Sequence, residues 1–216
     1  MKEVFSAVAV IVVLLIVMCI LLYILKTVRG EINAKKILKY GRQSEDFIYN
    51  LLRTHYSAGN IMRNAYYRLG NGGTTEIDIV LVAGNGIQVI EVKGMKGYIE
   101  NPFKGDWCQM YKNKTLMFQN PFEQNVTHIR AIQHIIHKEK IPNIPIRNIV
   151  VFTDPNVKFK FKEEMLLTSN KLLPFLADLN RNKFLKSKEI RRISKVLKKY
   201  QLTGSRVRRD HINRLK

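Results

Sequence analysis

This 216-residue chain has few cysteines and few acidic residues, and each shortage excludes some classes of protein. There are two cysteines, Cys19 within a long apolar run and Cys108 far outside it, so a disulfide framework is excluded. Asp and Glu total 17 against 37 Lys and Arg, which leaves a net charge of +20. A surplus of this size indicates a polyanionic partner, either nucleic acid or anionic lipid headgroups.

The positive charge is concentrated toward the C-terminus. Residues 155–216 hold 18 Lys and Arg against 5 Asp and Glu. Within them, residues 183–199 have the pattern of a basic helix, and clustered Arg and Lys follow it. We expect this region to contact phosphates. The residues predicted to do so are Lys195, Lys198, Lys199, Arg206, Arg208 and Arg209.

An uncharged run near the N-terminus predicts a membrane anchor within residues 1–29. Residues 4–24 contain no charged side chain, and as a helix they would extend about 30 Å, the thickness of the hydrocarbon core of a bilayer. The alternative is a cleaved signal peptide, which has a shorter apolar region and small residues at its cleavage site. Large residues continue here from Leu21 to Leu25 and meet Lys26 directly, so a retained single-pass anchor is favoured.

The flanks of the run predict its orientation. Lys2 is offset by Glu3 on the N-terminal side, whereas Lys26, Arg29 and further lysines follow on the C-terminal side. Because an excess of Lys and Arg marks the cytoplasmic side, we expect the N-terminus outside and the rest of the chain in the cytoplasm, at the cell membrane.

The remainder divides into three predicted parts. Residues 30–40 are a lysine-rich linker or helical continuation, residues 41–154 form a compact α/β domain, and residues 155–216 form the basic helical region. Within the α/β domain, Asn120 and Pro121 suit the first turn of a helix, and residues 147–153 are typical of a buried strand.

Two β-branched strands, residues 75–82 and 87–93, predict a hairpin that carries the most chemically informative residues. Asp78 lies on the first strand, and Glu91 and Lys93 share one face of the second. Two carboxylates can hold a hard cation such as Mg²⁺, which activates water and polarises a phosphate, while the lysine stabilises the developing phosphoryl charge.

The register of the hairpin decides whether Asp78 joins Glu91, and two registers are open. A two-residue loop at Gly84 and Asn85 places Asp78 opposite Glu91 on the same face. A type I′ turn at Asn85 and Gly86, which turn propensity prefers, places Asp78 on the other face.

Motifs in a fixed order resemble the nuclease-related domain (NERD) family, which is assigned to the PD-(D/E)XK nuclease superfamily. The resemblance covers residues 41–154, and its motifs are GRQSE at 41–45, TEIDIV at 75–80, IQVIEVKG at 87–94, GYI at 97–99, Trp107 and NPFEQ at 120–124. It implies a restriction-endonuclease-like αβββαβ core with a mixed sheet, here preceded by the transmembrane helix and followed by the basic tail.

The resemblance also implies roles for individual residues. Asp78 and Glu91 would be metal ligands for Mg²⁺ or Mn²⁺, and Lys93 would be the catalytic lysine. Glu45 would be the acid that some members add from the first helix, and Gln124 would lie near the substrate. The proline of the superfamily name is absent, since Ile77 precedes Asp78.

Two further sets of residues are interpreted structurally. The histidines of the helix after Pro121, which are His128, His134 and His137, are expected at the solvated surface, since no cysteine or carboxylate cluster completes a zinc site. Trp107 is expected to pack in a core rather than to stack on a base.

Three functions are compatible with these features of the sequence. The favoured one is a membrane-anchored, divalent-metal-dependent nuclease or DNA-processing protein, with nucleic acid, most simply DNA, as its substrate. The second is a nucleic-acid-binding module with weak or lost catalysis. The third is a membrane-surface adaptor whose basic tail binds anionic lipid, a reading that makes no use of Asp78, Glu91 and Lys93.

Overall fold

The computed structural model describes residues 2–101, 105–142, 144–204, 207 and 209–210, without the side chains of residues 2–14, 31, 33, 34 and 37. The chain forms two units, Met1–Arg42 and Gln43–Lys216. The helices are α1 (Lys2–Arg53), α2 (Pro121–Lys138), α3 (Ser169–Leu179) and α4 (Ser187–Tyr200). The strands are β1 (Ile61–Arg68), β2 (Thr74–Ala83), β3 (Gly86–Lys93), β4 (Tyr98–Glu100), β5 (Trp107–Tyr111), β6 (Lys114–Phe118), β7 (Ile146–Phe152), β8 (Lys158–Phe159) and β9 (Leu166–Thr168).

The first unit is helical throughout its described residues, including the predicted linker at 30–40. Large apolar side chains between Leu15 and Val28 are exposed. In the part of the chain with described side chains, no helix has the length and apolar character that crossing a membrane requires. Residues 4–14 of the predicted span lie outside that part. The structure therefore does not support the membrane anchor, which stays a prediction from sequence.

The second unit is built on a mixed five-stranded sheet with the order β1-β2-β3-β7-β9. The pairs β1–β2 and β2–β3 are antiparallel, whereas β3–β7 and β7–β9 are parallel. One face packs against α2 and α4, and the other packs against the end of α1 and against α3. Because both faces are covered, β3 is an almost continuous apolar strand, in which Gln88 and Glu91 are the buried polar exceptions.

A second sheet, with the order β6-β5-β4-β8, is inserted mainly between β3 and α2. Trp107 is 1% exposed and lies edge-on to Phe118, Phe122 and Phe161, with ring centroids 4.8 to 6.1 Å apart. The prediction that Trp107 packs in a core is confirmed. Apart from the inserted sheet, the elements α1, β1, β2, β3, α2 and β7 follow the expected helix, three strands, helix, strand order.

Residues after 154 belong to the same unit as the rest of the sheet. They supply β9 at one edge and the helices α3 and α4 on opposite faces. The predicted basic helix of this region is confirmed as α4. The amphipathic helix α4 buries Ile193 and Leu197 and exposes most of its basic residues, which explains how a strongly charged segment packs on a core.

Candidate active site

The β2–β3 hairpin has the register that brings Asp78 toward Glu91. Ala83 pairs with Gly86, and the ladder continues to Ile79 and Ile90. The loop is therefore Gly84 and Asn85, not the Asn85–Gly86 turn that propensity prefers. Gly86 has a φ of 120° and packs on the carbonyl of Pro145, where a side chain would clash. Only glycine therefore fits at this position, against the chain that precedes β7.

Asp78 lies where the β2–β3 ladder stops. The next residue pair would be Asp78 with Glu91, but the side chain of Asp78 replaces the backbone there: Val92 N–H donates to Asp78 Oδ2 at 2.9 Å. This contact holds the carboxyl group against β3, so the two strands present their acids at one point.

The alternation of β1 and β2 shifts by one residue at the same level. Ile77 and Val80 pack in the same core cluster although they are three residues apart, and so do Met62 and Ala65 on the neighbouring strand. Asn64, between the latter two, has a φ of 47°, a conformation that asparagine tolerates better than most residues. The ladder between β1 and β2 omits the pair of Asn64 and Asp78 at this level.

Glu91, Lys93 and Gln124 form a connected group beside Asp78. Glu91 is 2% exposed, and its Oε1 accepts a hydrogen bond from Lys93 Nζ at 2.7 Å. Lys93 Nζ also donates to Gln124 Oε1 at 3.1 Å. The predicted residues Glu91, Lys93 and Gln124 are therefore in direct contact, although α2 and β3 are far apart in sequence.

Asn125 fixes the helix that carries Gln124. Its fully buried side chain donates to Val89 O at 2.9 Å, to Asn148 Oδ1 at 2.8 Å and to Ile149 O at 3.3 Å. These contacts join α2 to both β3 and β7. The position of Gln124 relative to Lys93 depends on this tether.

His128 belongs to this site, and the prediction that it lies at the solvated surface is wrong. It is 5% exposed, its Nδ1 lies 2.6 Å from Thr75 Oγ1, and its Nε2 lies 3.4 Å from Glu91 Oε2. The latter pair lacks hydrogen-bond alignment, so both atoms are buried without a hydrogen-bond partner. His134 and His137 are exposed, as predicted. The available signal was helical spacing, because Asn125, His128 and Ile132 share a face with Gln124 beside it.

The two central carboxyl groups have opposite pKa shifts. Burial, followed by repulsion from Glu91, raises the pKa of Asp78 well above its usual value, although the Val92 N–H partly offsets the shift. Burial alone would also raise the pKa of Glu91, but contacts with His128 and Lys93 outweigh burial and lower it. The site therefore holds Glu91 as a carboxylate and makes a second negative charge at Asp78 unfavourable.

Glu45 lies at the margin of this group. Burial raises its pKa first, and the charges of Glu76, Asp46 and Glu91 add to the shift, while a hydrogen bond from Asn64 opposes it. Glu76, which the sequence analysis did not single out, is thus the strongest charged neighbour of Glu45. Among the described residues, no group of three or more His, Cys, Asp and Glu side chains is arranged to hold a metal ion.

The residues nevertheless suit a cation that takes two ligands from the protein. Glu91 Oε2 is buried without a hydrogen bond, and Asp78 and Glu91 repel each other in a site of low solvent access. A divalent cation shared by the two carboxyl groups would remove their mutual repulsion. Mg²⁺ is commonly held by one or two carboxylates, with water and substrate phosphate as its other ligands.

Of the predicted phosphate-binding residues, Lys195, Lys198 and Lys199 belong to α4, and Arg209 follows it. Lys195, Lys198 and Lys199 are exposed, and Lys199 Nζ donates to Glu139 Oε1 at 3.1 Å. Arg209 is exposed as well, whereas Arg206 and Arg208 lie outside the described residues. The chain after α4 returns to the sheet, since Leu202 N donates to Tyr66 O at 2.8 Å, and Tyr66 pairs with Glu76.

The chain is similar to one known family and to one relative. The model of the nuclease-related domain matches residues 30–153, more than half of the chain. An uncharacterized protein of Bacillus anthracis is 32% identical over 105 residues, which are 46% of this chain and 48% of that protein. The chain therefore spans about half the length of this curated relative.

Proposed function

The chain belongs to the nuclease-related domain family, and we propose on this basis that it hydrolyses phosphodiester bonds in nucleic acid with the help of Mg²⁺ or Mn²⁺. The family supports a nuclease-like function and an interaction with nucleic acid. The metal, the reaction and the residues below are the proposal.

One observation carries the proposal: Asp78, Glu91 and Lys93 meet where the β2–β3 ladder ends. Phosphodiester hydrolysis with a divalent cation requires acidic ligands for the cation and a positive charge near the phosphate. The carboxyl groups of Asp78 and Glu91 and the amine of Lys93 are groups of these kinds. A site that had lost its catalytic function would not need to keep these three charged residues, because burying a charge without a partner costs free energy.

In the proposed mechanism, Asp78 and Glu91 hold the cation, with Glu45 available from α1 as a further acid. The cation, when bound, lowers the pKa of a water molecule and polarises the scissile phosphate. Lys93 turns from Glu91 toward the phosphate and stabilises its developing negative charge. Gln124 keeps Lys93 Nζ at the site during this change, because its Oε1 already accepts from that amine.

The second candidate is a nucleic-acid-binding module that cuts weakly or not at all. It is favoured by the arrangement of the acids, because no three ligands converge in the described part of the chain and Lys93 is engaged by Glu91. In both candidates, the exposed basic side chains of α4 contact phosphates, and binding weakens with salt.

We place this activity at the cytoplasmic face of the cell membrane, with residues 4–24 as a single-pass anchor. The support is the uncharged run and the basic residues after it. The same basic residues, and those of the C-terminal region, can also contact anionic lipid headgroups.

The test is cleavage of labelled DNA and RNA by the purified full-length protein with Mg²⁺, with Mn²⁺ and with a chelator. We expect metal-dependent cleavage that Asp78→Ala and Glu91→Ala abolish, since each removes an anionic ligand. Lys93→Ala should abolish cleavage but keep metal binding, and Glu45→Ala should have a milder effect.

The matched control is Glu123→Gln, which changes an exposed acid next to Gln124. It should cleave like the wild type. Equal cleavage by the wild type and Glu91→Ala, prepared side by side, would refute the nuclease assignment and leave the binding module.

A further inference from the structure

Thr75 and His128 form a buried polar pair behind Glu91 that the proposed chemistry does not use. Thr75 is 5% exposed and lies on β2, three residues before Asp78, and His128 lies one helical turn after Gln124. His128 contacts Thr75 with one ring nitrogen and faces Glu91 with the other. The side chains of Thr75, His128 and Glu91 are all buried.

We propose that Thr75 and His128 are positioning residues that hold Oε2 of Glu91, so that Oε1 stays directed to Lys93 and the cation. The inference rests on the proposed function, because it assigns the pair a role in the same metal site. It concerns orientation and not proton transfer to substrate.

The hydrogen-bond inventory selects one arrangement of the pair. When threonine donates its hydroxyl hydrogen to Nδ1, the ring hydrogen lies on Nε2, directed at Glu91 Oε2. The opposite tautomer would place the lone pair of Nε2 against a carboxylate oxygen in a buried site. Two acceptors facing each other there would cost free energy without compensation.

The position of His128 is fixed independently of Glu91. Asn125, one turn before it on α2, is tied to β3 and β7 by its hydrogen bonds. Thr75 holds the ring from the β2 side. The imidazole is therefore a fixed donor, and a small rotation of Glu91 is enough to convert the 3.4 Å approach into a hydrogen bond.

The two carboxylate oxygens of Glu91 face different partners, and this difference explains the proposed effect of Thr75 and His128. Oε1 accepts from Lys93, whereas Oε2 has no hydrogen bond among the described residues. Without His128, the carboxylate could rotate and offer either oxygen, and cation binding would have to restrict it. Side chains that orient a metal ligand in this way typically change metal affinity by about 10- to 100-fold.

The experiment compares two amide replacements of His128 in the full-length protein. In His128→Gln, the amide nitrogen reaches the place of Nε2, so the donor to Glu91 is retained. In His128→Asn, the amide reaches only the place of Nδ1, so the contact with Thr75 is retained and that with Glu91 is lost. The readout is the Mn²⁺ dissociation constant without nucleic acid, measured by electron paramagnetic resonance, together with kcat and KM on a DNA oligonucleotide.

We expect His128→Asn to weaken Mn²⁺ binding by about 10-fold or more and His128→Gln to stay within about threefold of the wild type. kcat should fall with Mn²⁺ affinity at limiting metal, while KM for DNA stays unchanged. Thr75→Val should weaken Mn²⁺ binding, and Thr75→Ser, which keeps the hydroxyl, should restore it. The thermal unfolding midpoint of each metal-free variant reports whether it is folded.

Each alternative outcome has a distinct meaning. Wild-type Mn²⁺ affinity in His128→Asn would overturn the positioning role and leave the nuclease proposal standing. Equal losses in His128→Asn and His128→Gln would show that the histidine acts only in packing, which also overturns the inference. If His128→Asn does not fold, equal affinity in Thr75→Val and Thr75→Ser overturns it. A wild-type protein that binds no Mn²⁺ would refute the proposed metal dependence, and the inference with it.

Discussion

Asn125 provides the sharpest test of how the site is assembled, because its amide links α2 to two strands at once. The informative change is Asn125→Asp, which keeps the shape of the side chain and replaces the donating NH₂ with an oxygen. The three groups that Asn125 contacts are all acceptors: Val89 O, Asn148 Oδ1 and Ile149 O. The aspartate would therefore face them without a hydrogen to donate.

The expected loss follows from these contacts. An NH₂ group has two hydrogens for three acceptors, so two full hydrogen bonds are lost, at about 1 kcal/mol each. Asn148 Oδ1 then lacks a donor in a partly buried place, which adds about 1 to 2 kcal/mol. We expect Asn125→Ala to lower the free energy of unfolding by about 2 to 4 kcal/mol. Asn125→Asp should lower it at least as much at pH 7, because a carboxyl group is also desolvated.

The assay is chemical denaturation of the metal-free full-length protein, monitored through the fluorescence of Trp107. The matched control is His134→Ala, an exposed residue on the same helix, which should change stability by no more than about 0.5 kcal/mol. If Asn125→Asp were as stable as the wild type, the amide would not tether α2. The explanation given for the placement of Gln124 and His128 would then be wrong.

Three further predictions address other parts of the molecule. Asp78→Asn should raise the unfolding midpoint of the metal-free protein at pH 7, because a carboxyl group whose pKa is raised by folding destabilises the native state at every pH above the ordinary pKa of an aspartate. This gain should shrink as the pH falls through the raised pKa, and a gain independent of pH would contradict the argument. Deletion of residues 183–216 should weaken binding to all nucleic-acid sequences alike and flatten its dependence on salt, as measured by fluorescence anisotropy; the deletion removes α4, so circular dichroism must first show a folded remainder. The full-length protein should resist carbonate extraction from membranes with its C-terminus protected in sealed cells, and release of an N-terminally shortened soluble form would refute the anchor.

Local sequence patterns predicted the elements of this fold well. The β-branched runs around Asp78 and Glu91 form β2 and β3, and Asn120 caps α2, with Asn120 Oδ1 accepting from Phe122 N at 2.9 Å. These features depend on neighbours in the chain, through side-chain alternation and capping. The family resemblance also predicted the residues that meet at the end of the β2–β3 ladder. That prediction rested on similarity to known sequences and not on a physical argument.

The helical face of α2 shows where local patterns were insufficient. Its buried face contains apolar residues such as Ile132 and Ile136, but also the polar Asn125 and His128, whereas the apolar Val126 is 39% exposed. Polar residues occupy this face because the sheet beneath it offers partners: backbone carbonyls and Asn148 for Asn125, and Thr75 for His128. None of these partners is visible from the helix alone.

By itself, the sequence determined the strands of the β2–β3 hairpin, the strand β7, the start of α2, the basic helix α4, the excess of positive charge and the family to which the chain belongs. Tertiary structure alone showed the hairpin register, in which Ala83 pairs with Gly86 while Gly86 packs on Pro145. It also decided the burial of His128 and the position of Glu76 beside Glu45. Local propensity separates such alternatives by only about 1 kcal/mol, so contacts between residues distant in the chain select among them.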